Sequence, residues 1–84
     1  MLTVNITKSD VETGEARNPD YCALSLACKR VLGKDVKIGV YYLHLDGQQF
    51  PLTEEAKNFV YNFDNKIAIT PGEICITREV IKEN

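Results

Sequence analysis

The chain has 84 residues, 44% hydrophobic and 26% charged, with a formal net charge of −2 from ten Lys and Arg against twelve Asp and Glu. That length leaves room for one small domain, residues 1–84, around one core, and the composition is too apolar for a disordered chain. No apolar run approaches the ~20 residues of a bilayer span, and the charges alternate instead of forming the basic stripe with which a protein grips phosphates, which argues against a membrane and disfavours nucleic-acid partners.

The opening Met1-Leu2-Thr3-Val4-Asn5 lacks the basic and apolar regions of a secretion signal. Leu2 to Ile6 alternates apolar and polar residues and reads as a strand with Leu2, Val4 and Ile6 inward. Ser9-Asp10-Val11-Glu12 fits a capping box, with Gly14 placed to stop a single helical turn. Asn18-Pro19 supplies an N-cap followed by proline at the first helical position, which predicts a helix from Pro19 to Leu32 ending at Gly33. On its projection Tyr21, Leu24, Ala27, Cys28, Val31 and Leu32 share one face, and Cys22 and Leu26 form a second apolar strip on the opposite face. Either the turn at residues 9–13 covers that strip with Val11, or a second copy of the chain packs its own strip there in a homodimer.

From Val36 to Leu52 two alternating runs meet at Asp46-Gly47, the dipeptide suited to a two-residue hairpin turn. Closing the hairpin there pairs Leu45 with Gln48, Leu43 with Phe50 and Tyr41 with Leu52. One face is then Tyr41, Leu43, Leu45, Phe50 and Leu52, and the other carries Tyr42, His44, Gln49 and Pro51. The phase slips at Gly39-Val40-Tyr41, as at a bulge. Thr53 caps a helix over 54–63 with Glu54 and Glu55 in its first turn, Ala56, Phe59, Val60 and Phe63 inward and Tyr61 outward. Ile67 to Thr70 is a short extended piece, Ile74 to Thr77 a last strand that Val80 is placed to extend, and the final three residues fray. The order β-α-β-β-α-β predicts an α+β fold of ferredoxin-like (split βαβ) type, an antiparallel sheet with both long helices on one face. That fold hosts many unrelated functions.

The residues that carry chemistry are few. His44 is the single histidine and lacks an orienting partner at readable spacing; with a carboxylate brought in by the fold it would serve a small hydrolase or transferase. Three cysteines make an odd count without framework spacing, and Cys22 and Cys28, six apart on one helix, are turned about 120° from each other. Reduced thiols in a cytoplasm follow, and no zinc clamp, phosphate loop or dinucleotide fingerprint is present. No metal and no cofactor is therefore expected. Arg17-Asn18 precedes a helix start and could hold a small anionic ligand. The open hairpin face of Tyr42, His44 and Gln49 is a second candidate binding surface, on which a nucleic acid would stack weakly, and Tyr61 with Cys22 and Leu26 are candidate interface residues.

Three stretches together carry a resemblance: Tyr21-Cys22-Ala23-Leu24-Ser25-Leu26-Ala27, then Asp46-Gly47 through Phe63-Asp64, then Ile69-Thr70-Pro71-Gly72-Glu73-Ile74. The chain resembles a group of short accessory proteins encoded by tailed bacteriophages and prophages, with Ala23 where that group carries a proline. The resemblance implies a small protein made in the cytoplasm of an infected host cell. It implies no activity; together with the missing catalytic groups and the unexplained Cys22 and Leu26 strip, that setting leads to the expectation that the chain acts without catalysis, occupying or sequestering a host or defence component, either a protein surface or a small signalling nucleotide.

Overall fold

In the computed structural model, which describes residues 1–81, the chain runs β1 (Leu2–Ile6), α1 (Lys8–Thr13), α2 (Ala23–Leu32), β2 (Lys37–Ile38), β3 (Tyr42–Leu45), β4 (Gln48–Pro51), α3 (Glu54–Asp64) and β5 (Gly72–Thr77). The expected fraying of residues 82–84 lies outside the described residues. No helix among them is long and apolar enough to cross a membrane.

The strands divide into two antiparallel sheets, β1 with β5 and β2-β3-β4, rather than joining in one. Two local causes account for the break. The Asn5 carbonyl of β1 accepts from Arg30 Nη2 at 2.9 Å instead of from a further strand. β4 ends at Pro51, which has no N–H to donate, and the chain beyond it turns to β5: Thr53 N donates to Ile76 O at 2.9 Å and Thr53 Oγ1 to Cys75 O at 2.6 Å. The hairpin has the register its turn dictates, with Leu45 opposite Gln48 and Leu43 opposite Phe50, and Asp46 and Gly47 both at positive φ (51° and 76°). Leu52 N donates to Tyr41 O at 2.9 Å, yet Tyr41 lies outside β3 with its side chain exposed, not inward as its phase predicts. The Gly39-to-Tyr41 slip is a break between two strands, so the alternation that holds from Tyr42 onward does not extend back through it.

The single-turn helix forms two residues earlier than its Ser9 box predicts. Thr7 caps α1, its Oγ1 accepting from Asp10 N at 3.0 Å while Asp10 Oδ2 accepts from Thr7 N at 2.9 Å. Asp10 is buried and receives two bonds from Arg30 of α2, at 2.7 and 2.9 Å, so one carboxylate caps α1 and ties it to α2. Burial alone would raise the Asp10 pKa, but the hydrogen bonds from Arg30 and from Thr7, with the guanidinium charge, outweigh it and hold the carboxyl below its ordinary value.

Helix α2 begins at Ala23, four residues later than Asn18-Pro19 predicts. A helix starting at Pro19 would turn the Pro19 carbonyl to the amide four residues on. That carbonyl instead accepts from Ile38 N at 3.0 Å and from Ser25 Oγ at 2.5 Å, which draws it toward β2. Residues 18–22 form a separate turn, and Cys22 becomes the cap, its Sγ accepting from Ser25 N at 3.4 Å. The buried face is Ala23, Leu24, Ser25, Ala27 and Cys28. Tyr21, now outside the helix, and Val31 are both exposed instead of inward, and Lys29 Nζ sits 4.5 Å from the Tyr21 ring centre.

The core joins Val4, Ile6, Leu24, Leu43, Phe50, Phe59 and Ile74 as expected, with Phe63 half-buried against it and stacked on Phe59 at 6.3 Å. β5 stops at Thr77, and Val80 is exposed beyond it.

Candidate functional site

The loop between α1 and the turn at Asn18 brings two predicted site residues to the C-terminal end of α3. Arg17 adopts a left-handed backbone (φ 60°), and its amide donates to Asp64 Oδ1 at 2.8 Å. Arg17, Asn18, Cys22, Val40, Val60 and Asp64 line a cavity of about 230 Å³, smaller than the several hundred Å³ of a typical cofactor or drug-sized pocket. The walls are mostly aliphatic. The anion cradle expected at Asn18 is not formed, because the amides that would build it are already satisfied. Asp20 N donates to Asn18 Oδ1, Tyr21 N and Cys22 N to Asn18 O, and Ser25 N to Cys22 Sγ. Arg17 and Asn18 are therefore rim residues of an apolar cavity.

The second predicted surface is assembled as its register requires. Tyr42 stands opposite Pro51 and His44 opposite Gln49, with Lys37 of β2 across from His44, so Tyr42, His44 and Gln49 share the outer hairpin face. The His44 ring meets Tyr42 edge-on at 6.4 Å. Among the described residues no carboxylate lies within ion-pair distance of it, and it lines none of the five concavities found. A general base needs an orienting partner and a place for the reacting atom. No three His, Cys, Asp or Glu among the described residues converge as metal ligands.

The third set comes apart. Cys22 is 4% exposed because it caps α2 and contacts Ser25 Oγ at 3.3 Å, while Leu26 is half-buried. The strip proposed for a homodimer thus shrinks to Leu26. Burying one leucine stabilises by roughly 1.5–3 kcal/mol, too little to hold two copies together against the entropy of association. Val11 packs on the core, and α1 lies against α2 through the Asp10–Arg30 pair and the close approach of Gly14 to Ala23, positions within a turn of Leu26. Tyr61 is 63% exposed on α3, one turn before the cavity residue Asp64. The three thiols also separate by environment. Burial pushes Cys28 up to about 12, so it stays protonated, whereas Cys75 is partly accessible. A thiol reagent at pH 8 is expected to modify Cys75 in the folded protein and Cys28 only after unfolding, as peptide mass mapping would show.

Sequence reasoning missed the residues beside the cavity that are most available to a partner. Val40 and Tyr41 are 66% and 64% exposed, between β2 and β3, and Lys57 Nζ lies 6.0 Å from the Tyr41 ring centre. The phase slip at Gly39-Val40-Tyr41 is the signal in the sequence: it marks a break between strands, not a bulge, and leaves both side chains outside the sheet. No family model, curated protein or solved structure matches this chain.

Proposed function

We propose that the chain is a non-enzymatic binding protein that acts by occupying a protein surface of a host or defence component, in the setting of a phage-encoded accessory protein. The observation that carries this is the exposed pair Val40 and Tyr41 beside the cavity rimmed by Arg17 and Asn18. Exposed aromatic and aliphatic side chains next to a small concavity with an arginine have the composition of interface anchors. A cavity of about 230 Å³ takes a single partner side chain more readily than a nucleotide. In fold terms, the antiparallel pairing of β1 with β5 and the β3–β4 hairpin are two of the pairings of a ferredoxin-like sheet. They support a derivative of that fold whose third pairing, β4 with β1, has been lost.

A photo-crosslinking amino acid placed at position 41, with position 49 on the outer sheet face as comparison, tests the proposal in cells. A discrete protein adduct from position 41 and none from 49 is expected. Tyr41→Ala is then expected to weaken the purified complex about 30-fold, the effect of losing ~2 kcal/mol at an interface anchor. Adducts from position 49 alone would move the site to the Tyr42, His44 and Gln49 face. Turnover of a nucleotide or protein substrate by the pure chain would overturn the proposal.

A further inference from the structure

Three concavities on this end of the molecule share walls. The cavity beneath Val40 shares Arg17 and Asp64 with an adjoining one of about 500 Å³. That one shares Ala16 and Lys66 with a third of about 470 Å³, walled by Val11, Phe63, Ile67 and Ile69. The result is one groove, apolar at both ends and charged in the middle. Exposed aliphatic side chains mark the two ends, Val40 at one and Ile67, 47% exposed, at the other.

The central charge is positive and unspent. Of the nine Lys and Arg among residues 1–81, six have a carboxylate within 4 Å. The three that have none among the described residues are Arg17, Lys66 and Arg78, and two of these flank the middle of the groove. The Asp64 carboxylate between them accepts from the Arg17 amide, which holds the loop against the end of α3. Both cations also sit where a side chain is costly. Arg17 has φ 60° and Lys66 φ 57°; the one other non-glycine at positive φ among the described residues, Asp46, belongs to the hairpin turn. Lys66 occupies the left-handed position of a helix-ending motif, Ile67 N donating to Asn62 O at 2.8 Å and Lys66 N to Phe63 O at 3.3 Å, where glycine is the strain-free residue. Two long cations held at left-handed positions in one groove is an arrangement that stability does not favour, and strain of this kind collects where a surface is used.

We propose that this groove binds an extended segment of a partner protein with apolar side chains at its two ends and acidic residues between them, which rests on the reading above that this face binds a protein. Apolar ends would seat beside Val40 and Ile67, and the acidic centre would pair with Arg17 and Lys66, giving register and selectivity by charge complementarity. The molecule is 22 and 21 Å across in its short directions, a span that about seven residues of extended chain cover at ~3.3 Å each.

The test uses labelled synthetic peptides of that length with leucine at both ends and glutamate at the centre, compared with a lysine-centred version and a serine-ended version. By fluorescence anisotropy the glutamate-centred peptide is expected to bind about tenfold more tightly than either, and to weaken with added salt. The double variant Arg17→Gly, Lys66→Gly relieves both left-handed residues, so its melting temperature is expected to hold or rise while the glutamate preference disappears. Equal binding of the glutamate and lysine peptides, no binding of the glutamate peptide, or a preference that survives in the double glycine variant would each overturn the groove proposal. Crosslinking from position 41 separates the two failures. An adduct undiminished in the double glycine variant leaves protein binding standing without the acidic segment. Absence of both the adduct and peptide binding removes both.

Discussion

Replacing Asp10 by alanine is expected to destabilise the protein by about 3 kcal/mol in urea titrations at neutral pH. The carboxylate holds three things at once: the Thr7 amide at the start of α1, the Arg30 guanidinium of α2 and, through Arg30, the edge of β1 at Asn5. Removing it orphans the Thr7 amide and frees Arg30. The Arg30 side chain is about half exposed and can rehydrate, which keeps the cost at the low end of that for breaking a buried pair. The pH dependence has a defined sign. The folded-state pKa of Asp10 is lowered, so its contribution is fully present above the ~3.9 of an unfolded aspartate and is lost as pH falls through the folded value. Stability of the parent protein should therefore decline below about pH 4, and Asp10→Ala should lose less over the same interval. A loss under about 1 kcal/mol at neutral pH would show that the carboxylate does not join these elements.

Gly14→Ala is the second large effect, and it inverts the usual expectation for a glycine. The backbone at Gly14 (φ −65°, ψ 149°) is open to any residue, so alanine there should stabilise by about 0.4–1 kcal/mol through the unfolded chain. The folded state forbids it. An added Cβ would lie 2.7 Å from both Ala23 N and Asp10 O and 3.0 Å from Ala23 Cα, all backbone atoms that cannot swing aside. Overpacking of this kind costs about 1–3 kcal/mol or more and wins, so a net loss of about 2 kcal/mol is expected. Gly33→Ala is the comparison. Gly33 has a left-handed backbone (φ 65°) and open space around it, so its loss of about 1 kcal/mol is conformational alone. Amide spectra should separate them, with Gly14→Ala moving Asp10 and Ala23 together and Gly33→Ala confined to the end of α2.

Both substitutions fall where local pattern and tertiary structure diverge. Gly14 reads as a helix stop and is one, its amide donating to Asp10 O at 2.9 Å, but nothing near it in sequence announces the approach of Ala23. Asp10 lies inside the sequence signal for a helix start, yet the box it closes is with Thr7, and its larger role depends on a partner twenty residues away. The candidate site divides the same way. The register of Tyr42, His44 and Gln49 follows from a two-residue turn, whereas the placing of Arg17 beside Asp64 crosses 47 positions of chain.

By itself the sequence determined what nearest neighbours decide: the hairpin about Asp46-Gly47, the Thr53-capped helix with its Phe59 and Val60 stripe, the end of α2 at Gly33, and the inward residues of β1. Each is set by turn geometry, capping or the period of apolar residues, all of which act within a few positions. Tertiary structure alone decided where α2 begins, which way Tyr41 and Val31 face, and that the strands form two sheets. For the start of α2 and the division of the strands, a hydrogen-bonding group had two partners open to it. The Pro19 carbonyl went to Ile38, the Asn5 carbonyl to Arg30 and the Thr53 groups to β5. A backbone group bonds wherever the assembled chain offers the better partner, and that choice is not encoded in the residues beside it.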